Sequence, residues 1–299
     1  MGRIVNPELT VFTATVFPDV ARLWHGCIRR AFPADTRIEI FHDAAGEPLL
    51  PELYPGAAIL ARNPTRRDHH DAYNDAIRRA ETPFVAIIDT DVFWVAPDLW
   101  SRVRPLLDAP DVAAVSCISR SRRRSHGTYA VIAKAEVYRK VLDRFPDGFY
   151  PAAEYIDERD PMEGSRWFDT GDRMTQAVFD SGHRVELLNF DKAGDLVRFY
   201  GVTLTRRGGD AIGERALAHT CGYNKYFWRG YVCNLVMQRL HDRVFDEGPR
   251  YYFPFGAWPL IENSLTGSPE ALTWRLDFLR RMLDGANKIE NFLLTPARS

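Results

Sequence analysis

The sequence is short of the features that mark several classes of protein. It has four cysteines in 299 residues, at 27, 117, 221 and 233, and no two of them form a CxxC pair. Scattered cysteines favour neither a zinc site nor a disulfide framework, so a reducing cytoplasm is the expected compartment. Neither sign of charge is in excess, since 39 Lys and Arg face 40 Asp and Glu. A general nucleic-acid binder would usually be basic, so nucleic acid is not an expected partner.

Long apolar runs are also missing from the sequence. The run Phe84–Ile88 is ended by Asp89 and Asp91, far short of the roughly 20 residues that a membrane span needs. The amino-terminal residues lack the basic-then-apolar layout of a signal peptide. We therefore expect a cytoplasmic protein without a transmembrane segment, for which peripheral contact with the inner face of the membrane stays open.

The first half of the chain alternates strand-like with helix-like segments. Its length and a hydrophobic share of 45% fit one large domain with an ample core, or one domain plus an extension. Strands that alternate with helices predict βαβ units, and hence an α/β fold with a mainly parallel sheet. The predicted strands are 9–16, 37–41, 57–60, 84–88 and 112–118, and the predicted helices include 19–30, 68–80 and 173–181.

Acidic residues stand directly after two of these strands. Asp43 follows the second predicted strand, and Asp89 and Asp91 follow the strand 84–88. Ligands of open α/β sheets bind beyond the carboxyl ends of the strands, so these carboxylates are the first candidates for a site. Two carboxylates in one short turn repel each other unless they are solvated or share a cation. Mg²⁺ typically takes one or two carboxylates together with substrate phosphates, but a bare DxD sequence is more often a solvated turn.

The context of this pair resembles that of GT-A glycosyltransferases, especially the family-2-like group. In residues 72–91, a helix carrying Asn74 leads through a short turn into the apolar strand that ends in Asp89 and Asp91. The resemblance covers roughly residues 9–222 and implies a Rossmann-like GT-A fold. It implies that Asp91 binds a divalent metal, Mn²⁺ or Mg²⁺, and that Asp89 assists through ribose, water or metal.

Further residues are expected at the nucleotide. The resemblance implies that Asp43 lies near the base and Asn74 beside the nucleotide, and Thr13 lies in the opening strand of the same half. Arg66 stands in a loop, and its guanidinium fork suits phosphate oxygens. Residues 13–17 contain no glycine, whereas sugar-phosphate nucleotidyltransferases begin with a Gly-rich phosphate loop, so that class is not favoured.

A second acidic cluster precedes the predicted helix 173–181. Asp172 stands at the helix start, where a carboxylate can cap free N–H groups, and Gly182 is the expected signal of the helix end. The resemblance implies a second reading, because family-2-like enzymes carry a catalytic base at the start of a helix that ends in Gly. Such a base takes the proton from the acceptor hydroxyl during inverting transfer. Gly171 replaces the usual acidic neighbour, which leaves Asp169 as a competitor and leaves the stereochemistry open.

Trp167 and His219 complete the candidate site. Trp167 is expected either to stack on a sugar of the acceptor or to belong to the core. His219 lies where many GT-A enzymes carry a histidine that completes the metal site, although a structural histidine is the alternative; imidazole would favour Mn²⁺. His69, His70 and Asp71 lack partners at zinc-binding spacing and are expected on a polar helix face.

The expected architecture is a GT-A-like domain over 1–235 with a carboxyl-terminal helical extension over 236–299. One apolar stripe, at spacings of four, three and four residues, predicts that a helix of this extension covers the domain. It consists of Leu272, Leu276, Leu279 and Leu283.

The expected reaction moves a sugar from a nucleotide-diphosphate sugar to a hydroxyl of a carbohydrate, lipid-linked or small-molecule acceptor. A role in bacterial surface glycans or in metabolite glycosylation is expected, with the metal as a Lewis acid at the departing diphosphate. A haloacid-dehalogenase-like phosphatase is one rival, because its nucleophile motif is also an apolar strand that runs into DxD. That motif follows the first strand, whereas Asp89 comes late in this chain. A non-catalytic nucleotide-sugar-binding protein is the other rival.

Overall fold

A computed structural model describes residues 7–15, 17–42, 48–61, 69–118, 126–150, 171–199, 202, 224–247 and 269–296. The strands are β1 Leu9–Thr15, β2 Arg37–His42, β3 Ala57–Ala61, β4 Phe84–Ile88, β5 Val92–Trp94, β6 Val112–Ile118, β7 His126–Lys134, β8 Arg184–Leu188 and β9 Leu196–Arg198. The helices are α1 Pro18–Ala31, α2 His69–Arg79, α3 Leu99–Leu107, α4 Ala135–Arg144, α5 Asp172–Asp180, α6 Phe190–Ala193, α7 Asn224–Phe245 and α8 Pro269–Leu294, and a 3₁₀ turn covers Pro51–Leu53.

A seven-stranded sheet forms the centre of the described fold, in the order β3-β2-β1-β4-β7-β6-β8. β1 is parallel to β2 and β4, β2 is parallel to β3, and β6 is parallel to β8. β7 runs antiparallel to both of its neighbours, β4 and β6. A smaller sheet pairs β5 with β9 in antiparallel fashion. The predicted α/β class, a mainly parallel sheet flanked by helices with a carboxyl-terminal helix, is confirmed.

Both faces of the sheet are covered, which explains the apolar run that forms β4. In β1, Val11 packs into the hydrophobic cluster that contains α1, and Phe12 packs into the cluster that contains α2. All five residues of β4 are buried, and they alternate between the same two clusters. A strand with two covered faces reads as a continuous apolar run, and its carboxyl end is the first point where charge can reach solvent.

The two long carboxyl-terminal helices are built into this fold. The predicted boundary between residues 235 and 236 lies inside α7, so the chain is continuous helix across it. α7 contacts α1 and α8, and side chains of both α7 and α8 belong to the same hydrophobic cluster as α1. Neither of them, nor any other described helix, is long and apolar enough to cross a membrane.

The predicted leucine stripe of α8 is wrong as the face that covers the domain. Leu272, Leu276 and Leu283 are 42%, 60% and 45% exposed, although the fourth member, Leu279, is partly buried against the core. The face that packs inward consists of Phe278, Met282, Ala286 and Ile289. Both faces have helical apolar spacing, so periodicity alone could not choose between them.

A glycine sets the distance between α8 and the small sheet. A Cβ on Gly285 would lie 2.8 Å from Val197 Cγ1 of β9. The bare backbone of Gly285 therefore lets the helix approach closely, and β9 in turn pairs with β5, the strand directly after Asp91. The carboxyl-terminal helix thus supports the segment that carries the acidic pair.

Candidate functional site

The turn between β4 and β5 holds the two acidic residues in a fixed backbone. The N–H of Val92 donates to the carbonyl of Asp89 at 3.1 Å and closes the turn. The N–H of Phe199, which follows β9, donates to the carbonyl of Asp91 at 3.0 Å. Both carboxylates therefore stand at the carboxyl end of a strand between β1 and β7, at the edge where open α/β sheets bind ligands.

The side chain of Asp91 stands in surroundings that disfavour its charge. Burial and the neighbouring carboxylate of Asp89 raise its pKa to about 7, against the opposing effect of Arg198. A bound divalent cation would offset both effects and lower this pKa, because it stabilises ionised oxygen ligands. The pair therefore fits a hard metal ion such as Mg²⁺ or Mn²⁺.

A metal at this pair would take further ligands from elsewhere. Within the described residues, no group of three or more His, Cys, Asp or Glu side chains is arranged to hold an ion. Two carboxylates supplemented by water and phosphate oxygens are a common Mg²⁺ site, so the donor set suits a metal that arrives with a diphosphate. His219, the predicted third ligand, lies outside the described residues.

Helix α2 reaches the acidic turn through a tyrosine. The hydroxyl of Tyr73 donates to Asp89 Oδ1. The ring of Tyr73 is buried and stands edge-on to Phe12 of β1, at 6.1 Å between centroids, and to Phe149, at 5.8 Å. Sequence reasoning missed this residue. The available signal was a tyrosine on the apolar face of a helix beside the sheet, where a buried hydroxyl needs a partner.

The side chain of Asn74 holds a loop, and its predicted place beside the nucleotide stays a prediction. Its side chain is 2% exposed, its Nδ2 donates to the carbonyl of Asp147 at 3.0 Å, and its Oδ1 accepts from the N–H of Phe149 at 3.1 Å. Both polar ends of the amide are thus bonded to backbone. The geometry assigns Asn74 to the support of residues 147–149, the loop after α4.

The same loop is tied to the first turn of α2. Tyr150 donates its hydroxyl to Asp71 Oδ1, and its ring centroid lies 3.7 Å from that of His70. His70 is buried, so the prediction that it lies on a polar helix face is wrong. An aromatic partner covers the imidazole, a contact with a distant loop that sequence spacing does not reveal.

The second acidic segment begins where this loop is anchored. The N–H of Gly171 donates to the carbonyl of Phe149 at 3.3 Å, and α5 begins at Asp172. Gly171 is the N-cap and has a φ of 91°, a left-handed conformation that favours glycine. The backbone conformation therefore explains the glycine at position 171, and Asp172 is the first helical residue instead of the predicted cap.

Helix α5 ends just before Gly182, the glycine that the sequence predicts as the signal of its end. The N–H of Gly182 donates to the carbonyl of Phe179 at 2.9 Å, and the N–H of His183 donates to that of Val178 at 3.2 Å. This pair of bonds, with Gly182 at a φ of 81°, is a Schellman motif. The helix thus ends at the predicted signal, although it begins at Asp172, one residue earlier than predicted.

Thr13 is placed near the carboxyl end of β1, opposite Ile40 of β2. It is fully buried, and among the described residues its hydroxyl has no hydrogen-bond partner. An orphaned buried hydroxyl is uncommon in native structures. The predicted nucleotide contact of Thr13 stays a prediction. The other predicted site residues, Asp43, Arg66, Trp167 and Asp169, lie outside the described residues.

Comparisons with known proteins give likenesses of fold only. No protein-family model and no curated protein matches the chain. One similar structure is a mannosyltransferase from Pyrobaculum calidifontis in complex with GDP-Man and Mn²⁺, 17% identical, with 95% of this chain and 87% of that chain covered and a TM-score of 0.44. Another is glucosyl-3-phosphoglycerate synthase from Mycobacterium tuberculosis, 13% identical, with 72% and 80% covered and a TM-score of 0.45.

A nucleotidyltransferase is among the similar structures as well. It is 4-diphosphocytidyl-2C-methyl-D-erythritol synthase from Anaerococcus prevotii, 7% identical, with 62% of this chain and 87% of that chain covered and a TM-score of 0.42. Likenesses at this level do not decide between activities. The chemistry of this chain therefore has to follow from its own site residues.

Proposed function

We propose that the protein is a metal-dependent glycosyltransferase, which moves a sugar from a nucleotide-diphosphate sugar to an acceptor hydroxyl. The observation that carries the proposal is the pair Asp89 and Asp91, held in a closed turn at the carboxyl end of β4. The raised pKa of Asp91 indicates in addition that ionisation of this carboxyl group is unfavourable unless a cation is bound. Residues with perturbed pKa values at such an edge are typical of functional sites.

In this proposal Asp91 binds Mn²⁺ or Mg²⁺, and Asp89 assists through ribose, water or the metal. The metal, when bound, stabilises the negative charge of the departing diphosphate. His219 is proposed to complete its ligands. Thr13 and Asp43 are proposed to line the nucleotide pocket, and Arg66 is proposed to bind a phosphate.

On the acceptor side, Asp172 is proposed as the base that takes the proton from the attacking hydroxyl, with Asp169 as the alternative. A base in this position favours inverting transfer. The start of α5 is tied through Phe149 to the loop that Asn74 holds, which gives this segment a defined place. Trp167 is proposed to stack on the acceptor.

The compartment and the acceptor belong to the same proposal. We place the reaction in a bacterial cytoplasm, at or near the inner face of the membrane, with a carbohydrate, lipid-linked or small-molecule acceptor. The nucleotide and the sugar of the donor are to be identified by experiment.

A donor panel tests this function directly. Binding and hydrolysis of UDP-, GDP-, ADP- and CDP-sugars are measured with and without Mn²⁺ for the wild type, Asp91→Ala and the control Asp98→Ala. Asp98 is an exposed carboxylate seven positions further on, paired with Arg102 at 3.6 Å. We expect metal-dependent binding of one donor that is lost in Asp91→Ala and kept in Asp98→Ala.

Two other results would contradict the proposal. Failure of every donor to bind with either metal would remove the glycosyltransferase assignment. Release of phosphate from a simple phosphate ester, abolished by Asp89→Ala, would favour the phosphatase, whose nucleophile is the first carboxylate of the motif.

A further inference from the structure

We propose that Tyr73 is a positioning residue, whose phenol holds the carboxylate of Asp89 in the orientation that the metal–diphosphate complex requires. The inference rests on the proposed function, because it assigns a purpose to a contact within the same site. It goes beyond that function by naming a residue on α2 that acts on the site through Asp89.

The contact joins two separate parts of the chain. The hydroxyl of Tyr73, on α2, donates to Asp89 Oδ1, in the turn after β4. Tyr73 is 2% exposed, so this hydroxyl meets protein and not bulk solvent. A hydrogen bond from a neutral donor to a carboxylate is charge-assisted and is stronger than one between neutral groups.

The position of the phenol oxygen is set by packing. The ring of Tyr73 lies edge-on to Phe12 at an interplanar angle of 90° and to Phe149 at 78°. These two rings come from β1 and from the loop that Asn74 holds, so the tyrosine is fixed from the sheet side and from the loop side. A donor locked by its surroundings can hold its acceptor in one orientation.

Packing alone does not explain why this residue is tyrosine. Phenylalanine would present the same edges to Phe12 and Phe149 without bringing a hydroxyl into the interior. Burying a hydroxyl is unfavourable unless it is hydrogen-bonded, so the bond to Asp89 offsets the burial of this hydroxyl. The partner of this hydroxyl is Asp89, one of the two carboxylates at the candidate metal site.

Groups that donate a hydrogen bond to a metal-binding carboxylate affect metal affinity strongly, although they do not contact the metal. Replacement of such partners typically weakens metal binding by about 10- to 100-fold. We therefore expect Tyr73→Phe to weaken binding of the metal–nucleotide complex about tenfold or more, while the aromatic packing stays in place.

The test measures binding, so it does not depend on knowing the acceptor. Mn²⁺ binding is followed by electron paramagnetic resonance in the presence of UDP, GDP, ADP or CDP separately, and the diphosphate that the wild type binds best is used for the variants. The variants are Tyr73→Phe, Asp89→Ala, their double variant and Asp91→Ala. Tyr138→Phe is the matched control, since Tyr138 is a buried tyrosine of the same cluster, 6.5 Å from the ring of Phe149.

The expected result is a loss in Tyr73→Phe that does not recur in the Asp89→Ala background, because the phenol acts through that carboxylate. Tyr138→Phe should bind as the wild type does, and the metal-free melting temperature should not explain the difference between the two. Wild-type affinity in Tyr73→Phe, together with lost binding in Asp91→Ala, would overturn this inference alone. A wild type that binds none of the four complexes would overturn the proposed function and this inference with it.

Discussion

Asn74 encloses Gly148 between two hydrogen bonds. Its amide nitrogen donates to the carbonyl of the residue before that glycine, and its amide oxygen accepts from the N–H of the residue after it. The neighbouring residue on α2, Tyr73, donates to Asp89. One helix therefore contacts both the acidic turn and the loop at which the segment of Asp172 is anchored, so its two adjacent polar residues can be tested separately.

Replacement of Asn74 by alanine should destabilise the metal-free protein. The change leaves the buried N–H of Phe149 without its partner, whereas the carbonyl of Asp147 still accepts from the N–H of Tyr150 at 2.8 Å. A buried backbone group without a hydrogen bond costs about 1–3 kcal/mol, so urea unfolding should show a loss of about that size in the free energy of unfolding. Asn287→Ala is the control, because Asn287 is exposed on α8 and loses only an exposed hydrogen bond from Arg243, so stability should change by about 0.5 kcal/mol at most. Wild-type stability of Asn74→Ala with weakened nucleotide binding would contradict this role and support the nucleotide contact predicted from the sequence.

Gly148→Ala should be more harmful than a change of backbone preference explains. Gly148 has a φ of 49°, and a Cβ there would lie 2.4 Å from Asn74 Oδ1 and 2.3 Å from Leu142 Cδ2. Asn74 is held by its two bonds, so relief requires breaking them or moving the backbone.

Gly182→Ala provides the matched comparison for Gly148→Ala. Gly182 has a φ of 81° and nothing within 4 Å of its added Cβ, so it reports only the cost of the left-handed conformation, about 1–2 kcal/mol. Equilibrium unfolding of both variants should show a larger loss at Gly148, by about 1 kcal/mol or more, from overpacking. Equal losses would mean that the close approach to Asn74 carries no cost.

The features predicted most reliably from the sequence are those determined by a few consecutive residues. The strands 84–88 and 112–118 have the predicted bounds, because an apolar run covered on both faces is closed by a polar neighbour. The glycine end of α5 was equally local. β7, in contrast, lies between β4 and β6 through pairing with partners far along the chain, and no local pattern indicated this strand.

Long-range contacts also explain what sequence reasoning missed at the site. The amide of Asn74 is bonded to the backbone of residues 147–149, which no local pattern indicated, and its predicted place beside the nucleotide stays a prediction. His70 was predicted on a polar helix face, but in the structure the ring of Tyr150 packs against it. A tyrosine on a helix is read as packing, so its bond to Asp89 required the fold to be known. The position of the acidic pair could be predicted from the sequence, because the two carboxylates directly follow the apolar strand.

Asp91→Asn should stabilise the metal-free protein at alkaline pH. The pKa of Asp91 is raised from 3.8 to about 7 in the folded state, so between these values the folded state binds more protons than the unfolded one. Stability contributed by this group is therefore lost as pH rises through that window, and the charge is fully unfavourable above it. Asparagine does not ionise, so the stability of the variant relative to the wild type should increase from pH 5 to pH 8.

Metal should reverse that order at pH 8. Saturating Mn²⁺ with the bound nucleoside diphosphate stabilises only a protein that binds it, and we expect the wild type to gain more than Asp91→Asn. Melting temperatures at pH 5 and pH 8, with and without Mn²⁺, test both statements. If the difference in melting temperature between the two proteins is constant across pH and unaffected by metal, the pKa of Asp91 is not raised by its surroundings and Asp91 is not a metal ligand.

The two faces of α8 should respond differently to the same kind of truncation. Ile289 is fully buried on the inward face, so Ile289→Ala should lower the free energy of unfolding by about 2–5 kcal/mol through lost contacts and a residual cavity. Leu276 is 60% exposed, and Leu276→Ala should change stability by about 0.5 kcal/mol at most. Urea unfolding of both variants measures the difference. A large loss in Leu276→Ala would mean that the leucine stripe covers part of the domain in solution, as its spacing first indicated. The expected pair of results would instead identify the inward face as the one that supports β9. Because β9 pairs with β5, this face would then also support the acidic turn.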